Sequence, residues 1–428
     1  MSFCFSSLFV FGTPLLQSFA LSYTENALFF LSGPLSGLLV QPLVGWWSDR
    51  ITFRFGRRRI LYVALGGPLT IAGMGLFGAA EKLGALLGDK GDEHASAAWI
   101  ALASLWSAFL GLNVVGITGF ALQLDLCTNP LESARGTAAI TIAGALGNIA
   151  ATALGFVDLT GFVPALESNT SAQVYIALIV YVVASVPTLI LGREKAYVPP
   201  AVKQTTSLAD RWAAVKRVPT FFWLLCTWYC LASAAATPML FNFTDFVGKA
   251  VFKGVDTAAA HTPLKEQYDA GVRWGSLCLA IQSVCMAVMS ASLPTVQKKL
   301  SIASIMAIGA LFGTISAGTA VFDVLLTKTY VATVMSIPFG IFNSIFSTLP
   351  FQLMSLMGTD SGFFVGLLNS FQVVAQLLVN QVTAAVIEAS ANNTANGMAF
   401  GGIFALIAIP MCLLLTNPPR KPTSEEDA

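Results

Sequence analysis

The chain has 428 residues, 55% of them hydrophobic and 11% charged, and a formal net charge of +1. An ordinary soluble domain carries roughly 25% charged residues, so this composition excludes a water-soluble enzyme or binding module and points to a membrane protein.

Crossing a hydrocarbon layer of about 30 Å takes roughly 20 apolar residues in a helix. In chain order such runs occupy 3–22, 27–48, 60–80, 97–126, 135–158, 172–192, 219–242, 272–297, 300–322, 329–357, 361–388 and 396–416, which predicts twelve transmembrane helices. The runs are continuously apolar, whereas a barrel would show segments of about ten residues alternating apolar and polar. The expected fold class is therefore all-α and polytopic. The first run lacks a basic n-region and a small-residue cleavage site, so it reads as a span and not a signal peptide. It begins almost at Met1, and its helix is expected to be missing a turn.

The longest polar stretch on the basic side, 193–218, separates six spans from six. The expected organisation is an N-terminal six-helix half at 1–192, a linker at 193–218, a C-terminal half at 219–416 and a polar tail at 417–428. Two six-helix halves related by an axis along the membrane normal are one established transporter plan, with the solute site between them near the midplane. Repeat signal is faint: "SLPTVQKKLSIASI" follows the eighth span as "SDRITFRFGRRRIL" follows the second.

Charge orients the chain. With both termini in the cytoplasm, sixteen Lys and Arg lie on the cytoplasmic side and seven on the other, the asymmetry of the positive-inside rule. The expected setting is an integral, multi-pass protein of the plasma membrane or of an endomembrane such as the vacuole. The sequons Asn169-Thr170-Ser171 and Asn392-Asn393-Thr394 then fall in non-cytoplasmic loops. Seven cysteines without CxxC spacing read as small hydrophobes, and with two histidines in loops no metal or cofactor is expected.

The second span ends in "GLLVQPLVGWWSDRITFRFGRRR", Gly37 to Arg59, where Gly45, Asp49 and Arg50 are followed by Gly56, Arg57 and Arg58. An acid followed by bases can form charge-assisted pairs and engage helix ends on the facing bundle. The plainer account is that the arginines anchor the loop inside, against anionic lipid headgroups. They lack a soluble domain that would present them to nucleic acid. The spacing resembles the loop signature of the major facilitator superfamily. The longer stretch from Gly33 is similar to that of the sucrose/proton symporters and their relatives among the glycoside cation symporters. "TPLLQSFAL", "FTDFVGKAVF", "YDAGVRWGSL" and "GLLNSFQVVAQ" agree with this.

The resemblance implies a twelve-helix alternating-access transporter and a gating role for the Gly45–Arg58 motif. A charge at the bilayer centre costs about 2.5–3.5 kcal/mol on insertion scales, so acids within spans are the candidates for coupling. Asp125 ends the fourth span with Arg135 across a short loop. The resemblance places such a pair in the proton-coupling or gating network, while the bland reading is an interfacial acid reaching water. Asp245 ends the seventh span with Lys249 one turn on. The family pattern there resembles three carboxylates, but Phe243 and Ala250 stand at two of them, and Phe120 replaces an arginine before the acid of the fourth helix.

A sugar needs many hydrogen-bonding groups and aromatic faces. The spans hold Gln17, Gln41, Asn113, Gln123, Asn148, Gln282, Asn343, Gln352, Asn369, Gln372, Gln376 and Asn380. Gln17, Gln41, Asn148, Asn369, Gln372 and Gln376 are the candidate ligands of the solute. Asn369, Gln372, Gln376 and Asn380 form one stripe on a helix. Each amide has a plainer role, joining helices for about 0.6 kcal/mol. Trp106, Trp223, Trp228 and Tyr229 could stack on a sugar, or anchor at the interface. No Gly-x4-Gly-Lys-Ser/Thr loop, HExxH or Gly-x-Ser-x-Gly motif is present, so neither ATP-driven transport nor hydrolytic enzyme chemistry is expected.

The resulting expectation is a monomeric secondary transporter, a sugar/proton symporter for sucrose or a related glycoside. The alternatives are an uncoupled facilitator of sugar or another small solute, and a non-transporting solute sensor.

Overall fold

The computed structural model describes residues 1–19, 21–48, 60–89, 94–126, 130–157, 159, 168–191, 220–259, 262–322, 328–356 and 361–415. The first helices are α1 (Ser2–Gln17), α2 (Tyr23–Phe30), α3 (Ser32–Ser48), α4 (Gly67–Gly78), α5 (Ala80–Leu87), α6 (Ala95–Leu126), α7 (Pro130–Leu154) and α8 (Asn169–Leu191). After them come α9 (Thr220–Phe246), α10 (Pro263–Val296), α11 (Ile302–Gly318), α12 (Tyr330–Leu356), α13 (Ser361–Ala389) and α14 (Thr394–Met411). Short π turns, Tyr62–Gly66 and Val247–Val251, open α4 and extend α9. The described residues include no strand.

Among the described residues eight helices are long and apolar enough to cross a bilayer, and α4 with its π turn forms a ninth candidate together with α5. The helix α1 and the Ile142–Leu154 part of α7 are shorter apolar segments, and α2 with α3 accounts for the remaining span. With 16 residues, α1 is about 24 Å long.

Local chemistry explains where the observed elements depart from the expected runs. The second span begins at Tyr23, four residues early, because Ser22 and Glu25 form a capping box: Ser22 Oγ accepts from the Glu25 N–H, and the Glu25 carboxylate accepts from the Ser22 N–H at 2.8 Å. The third span does not run straight to its end. It bends by 67° at Ala79 into α5, which carries Glu81 and Lys82 beside exposed Leu86 and Leu87. Such a short charged and apolar helix suits a membrane–water boundary, and the left-handed Gly88 (φ 111°) ends it.

Packing reveals the repeat that the sequence barely shows. In the first half α4 packs on α6 and α8, α3 on α6, and α1 on α7 and α8. In the second half α11 packs on α12 and α14, α10 on α12, and α9 on α13 and α14. Each pair has its counterpart six spans later. Each set of six encloses its own apolar core, one around Phe109 and Leu105 and the other around Trp228, Phe342 and Leu349. Across the seam α1 meets α9, α7 meets α10, and α2 and α3 meet α13. These contacts exchange under the same operation.

The symmetry extends to single atoms. Thr13 Oγ1 donates to the Phe241 carbonyl at 2.8 Å, and Thr244 Oγ1 donates to the Val10 carbonyl at 2.9 Å. Thr13 and Thr244, like Val10 and Phe241, stand 231 residues apart. The face at which α1 begins is here called proximal, and the opposite face, where α1 ends and α2 begins, distal.

Candidate functional site

The seam between the halves holds a polar cluster at its distal end. Asp245 is fully buried at the end of α9. Its Oδ2 accepts from the Tyr23 hydroxyl at 2.5 Å, and its Oδ1 accepts from the Tyr268 hydroxyl at 2.8 Å. Lys249 Nζ lies 3.4 Å from Asp245 Oδ1 and 2.8 Å from Asp256 Oδ2. It also donates to the Tyr23 hydroxyl at 2.8 Å and to Gln17 Oε1 at 3.2 Å. A carboxylate in an apolar seam is costly unless paired and hydrogen-bonded, and here three side chains supply those partners.

The backbone explains how they meet. Lys249 sits in the π turn, a distortion often found at functional sites. Gly254 and Gly271 admit the closest approach of the following loop to α10. A methyl group on Gly271 would stand 2.6 Å from the Gly248 Cα, and one on Gly254 would meet the Tyr268 backbone. That close packing brings Asp256 and Tyr268 to the end of α9.

Three further hydrogen bonds join the halves at this face. Glu388, near the end of α13, accepts from the Thr24 N–H and hydroxyl in the first turn of α2, both at 2.7 Å. The carboxylate of one half thus completes a helix N-terminus of the other. Asn380 Nδ2 donates to the Ala27 carbonyl at 3.2 Å.

Nearer the middle, α9, α12 and α13 form an aromatic and amide wall. Tyr229 donates to Gln372 Oε1 at 2.6 Å and stacks on Phe346 with ring centroids 4.9 Å apart. Asn369 and Gln376 are half-buried on the same helix, with no hydrogen bond to another described residue. Of the tryptophans, Trp228 is buried in the second core, whereas Trp223 is exposed beside Phe371.

The sequence candidates are therefore dispersed. Gln17 and Asp245 belong to the distal cluster, Gln372 is engaged by Tyr229, and Asn148 accepts from Ser6 at 2.7 Å, joining α7 to α1. Asn113 similarly donates to Ser36 at 2.9 Å, and Gln297 and Gln352 pair through both amides at 2.7 and 3.0 Å. The stripe is divided along its length: Asn380 faces the other half, Gln372 its own half, and Asn369 and Gln376 keep free amides. Asp49, Arg50, Gly56, Arg57 and Arg58 lie outside the described residues, as do the side chains of Gln41, Asp125 and Arg135; Gly45 is in α3.

Tyr23, Tyr268, Asp256 and Glu388 were not anticipated as site residues. Ser22-x-x-Glu25 marks the helix start that carries Tyr23, and Tyr268 opens "YDAGVRWGSL"; nothing local marks Asp256. Among the described residues no His, Cys, Asp and Glu group is arranged to hold a metal, and the described cysteines are free thiols.

No protein-family model matches the chain. The chain is 25% identical over 458 residues to sucrose transport protein SUT5 of Oryza sativa subsp. indica, covering 94% of this chain and 83% of the relative. It is 24% identical over 446 residues to sucrose transport protein SUC4 of Arabidopsis thaliana, covering 93% and 85%. Among solved structures it is similar to a D-xylose-proton symporter, with TM-score 0.65, 14% identity and 97% of each chain covered. A bacterial homolog of the lysosomal transporter Spinster, in an inward-facing and unoccupied conformation, gives TM-score 0.67 at 12% identity, covering 99% of this chain and 96% of that one.

The fold is that of the major facilitator transporters. In this fold the reciprocal α1–α9 contact and the paired α7–α10 and α2/α3–α13 contacts are where the halves meet, so the Asp245 cluster and the Glu388–Thr24 bonds lie at the distal end of the seam between them. The protein is an integral multi-pass membrane protein, and its similarity to the sucrose transport proteins spans most of the chain.

Proposed function

We propose that the protein is a secondary transporter of sucrose or a related glycoside, moving its cargo with a proton by alternating access, with both termini cytoplasmic and the monomer as working unit. The observation that carries this reading is Asp245: a fully buried carboxylate on the seam of a transporter fold, bound by one phenol from each half. Protonation would remove its charge and weaken its hold on Lys249 and Tyr23, which couples proton occupancy to separation of the halves. Asp125, with Arg135, is the second carrier, assigned from the resemblance. Cargo would bind between the halves, against Asn369 and Gln376 and the nearby aromatic wall. Gly45, Asp49, Arg50, Gly56, Arg57 and Arg58 would gate the cytoplasmic side, with lipid headgroups against the arginines.

A second reading, an uncoupled facilitator, is favoured by Phe243 and Ala250. Both are buried where the resembled pattern has acids. Proteoliposomes decide between them. Symport predicts counterflow of labelled sucrose without a gradient and accumulation with an inward proton gradient; Asp245→Asn should keep the first and lose the second. Counterflow with no gradient-driven accumulation in the wild type supports the facilitator, and sugar binding without flux removes both.

A further inference from the structure

The Lys249 ammonium has more oxygen around it than an i,i+4 ion pair supplies. Asp256 Oδ2 and the Tyr23 hydroxyl lie 2.8 Å from Nζ, Gln17 Oε1 3.2 Å and Asp245 Oδ1 3.4 Å. An ammonium has three N–H donors and no acceptor, so the first three oxygens can saturate it and the fourth adds a charge contact. Nζ also stands 4.8 Å from the Tyr23 ring centroid, within cation–π range.

The cage comes from four elements. Gln17 ends α1 and Tyr23 starts α2 in the first half, while Asp245 ends α9 and Asp256 lies in the loop before α10 in the second. The Gln17 amide turns its oxygen to Nζ although its Nε2 is thereby left buried without a partner. Leaving a buried donor unsatisfied is costly, so the contact with the cation governs how this amide is oriented.

We infer that Lys249 is a built-in monovalent cation of the distal gate, seated in an oxygen cage to which both halves contribute, and that removing its side chain opens the cage to a free alkylammonium ion. The lysine is tethered to the π turn, so closure does not wait for an ion from solution. Two of the four oxygens leave with the first half when the seam parts, so the cage is complete only in the distally closed state. The inference concerns the gate and holds whatever the cargo.

The test is thermal unfolding of the purified full chain in detergent at constant ionic strength. Lys249→Ala should show a saturable rise in Tm with methyl-, ethyl- or n-butylammonium and none with tetramethylammonium, which has the charge but no N–H. The wild type should not distinguish these ions. An alanine variant that responds equally to tetramethylammonium, or a wild type that responds as strongly as the variant, overturns the cage. A second measurement needs no variant: amine acylation of the wild type should modify Lys249 much more slowly than exposed Lys253, and equal rates overturn the saturated seat.

Discussion

At the scale of single residues, the amides sort by what they touch. Asn148 joins two helices of one half, whereas Asn369 and Gln376 have amides left for a ligand. Replacing either of the latter with leucine should raise KM for the transported sugar roughly three- to tenfold, the loss of about 1 kcal/mol per hydrogen bond, with little change in Tm. Asn148→Leu should instead lower Tm and leave KM near its original value. Kinetics and thermal unfolding on the three variants check this. Asp89 offers a pH-dependent contact outside the spans. Its Oδ1 accepts from the Ser96 N–H at 3.0 Å and its Oδ2 from the Ala97 N–H at 2.9 Å, capping α6. Desolvation works against ionisation, but these N–H groups outweigh it and hold the carboxyl below the usual carboxylate range. The folded pKa is depressed, so the stabilisation is present above the unfolded value of about 3.9 and is lost as pH falls through the folded one. Asp89→Ala should thus lower Tm at pH 7, and the gap should close at acid pH in a melting series. Asp245 was legible in the sequence, since an acid in an apolar run is conspicuous. Tyr23 and Asp256 were not, because one comes from the other half and the other from a loop without a local signature.

At the scale of the elements, helix contacts rest on small residues, as expected where lipid removes the hydrophobic drive between helices. A methyl group on Gly73 of α4 would run into the Ala108 backbone of α6, and one on Gly111 into Thr70. Gly73→Leu should force these helices apart and cost about 1–3 kcal/mol. Gly119, on the same α6, has no atom within 4 Å of an added methyl group, so Gly119→Ala should be neutral or gain up to about 1 kcal/mol of helix propensity. Opposite shifts of the two in one thermal-unfolding series would bear out the packing account. Span positions were readable from hydropathy, which depends on length and composition alone. The bend at Ala79 and the early start at Tyr23 were not, since both depend on caps and on where the chain meets the boundary.

For the molecule as a whole, the proposed transport cycle requires the distal seam to open. Thr24 and Glu388 lie across that seam in hydrogen-bond contact, so a cysteine pair at these positions, once cross-linked, should abolish sugar flux, and reductant should restore it. Flux that persists in the cross-linked protein would mean that these ends do not separate in the cycle. The amino-acid sequence by itself determined the solvent, the number of crossings and the fold class, because each crossing needs its own apolar run. It also determined the resemblance, carried by short motifs at the helix ends. The tertiary structure alone decided which polar groups are already spent on holding helices together and which remain free, and it alone gathered Gln17, Tyr23, Asp245, Lys249, Asp256 and Tyr268 around one seam. The physical reason is that a hydrogen bond depends on distance in space: partners 232 residues apart, such as Gln17 and Lys249, leave no pattern that a local reading of the chain can detect.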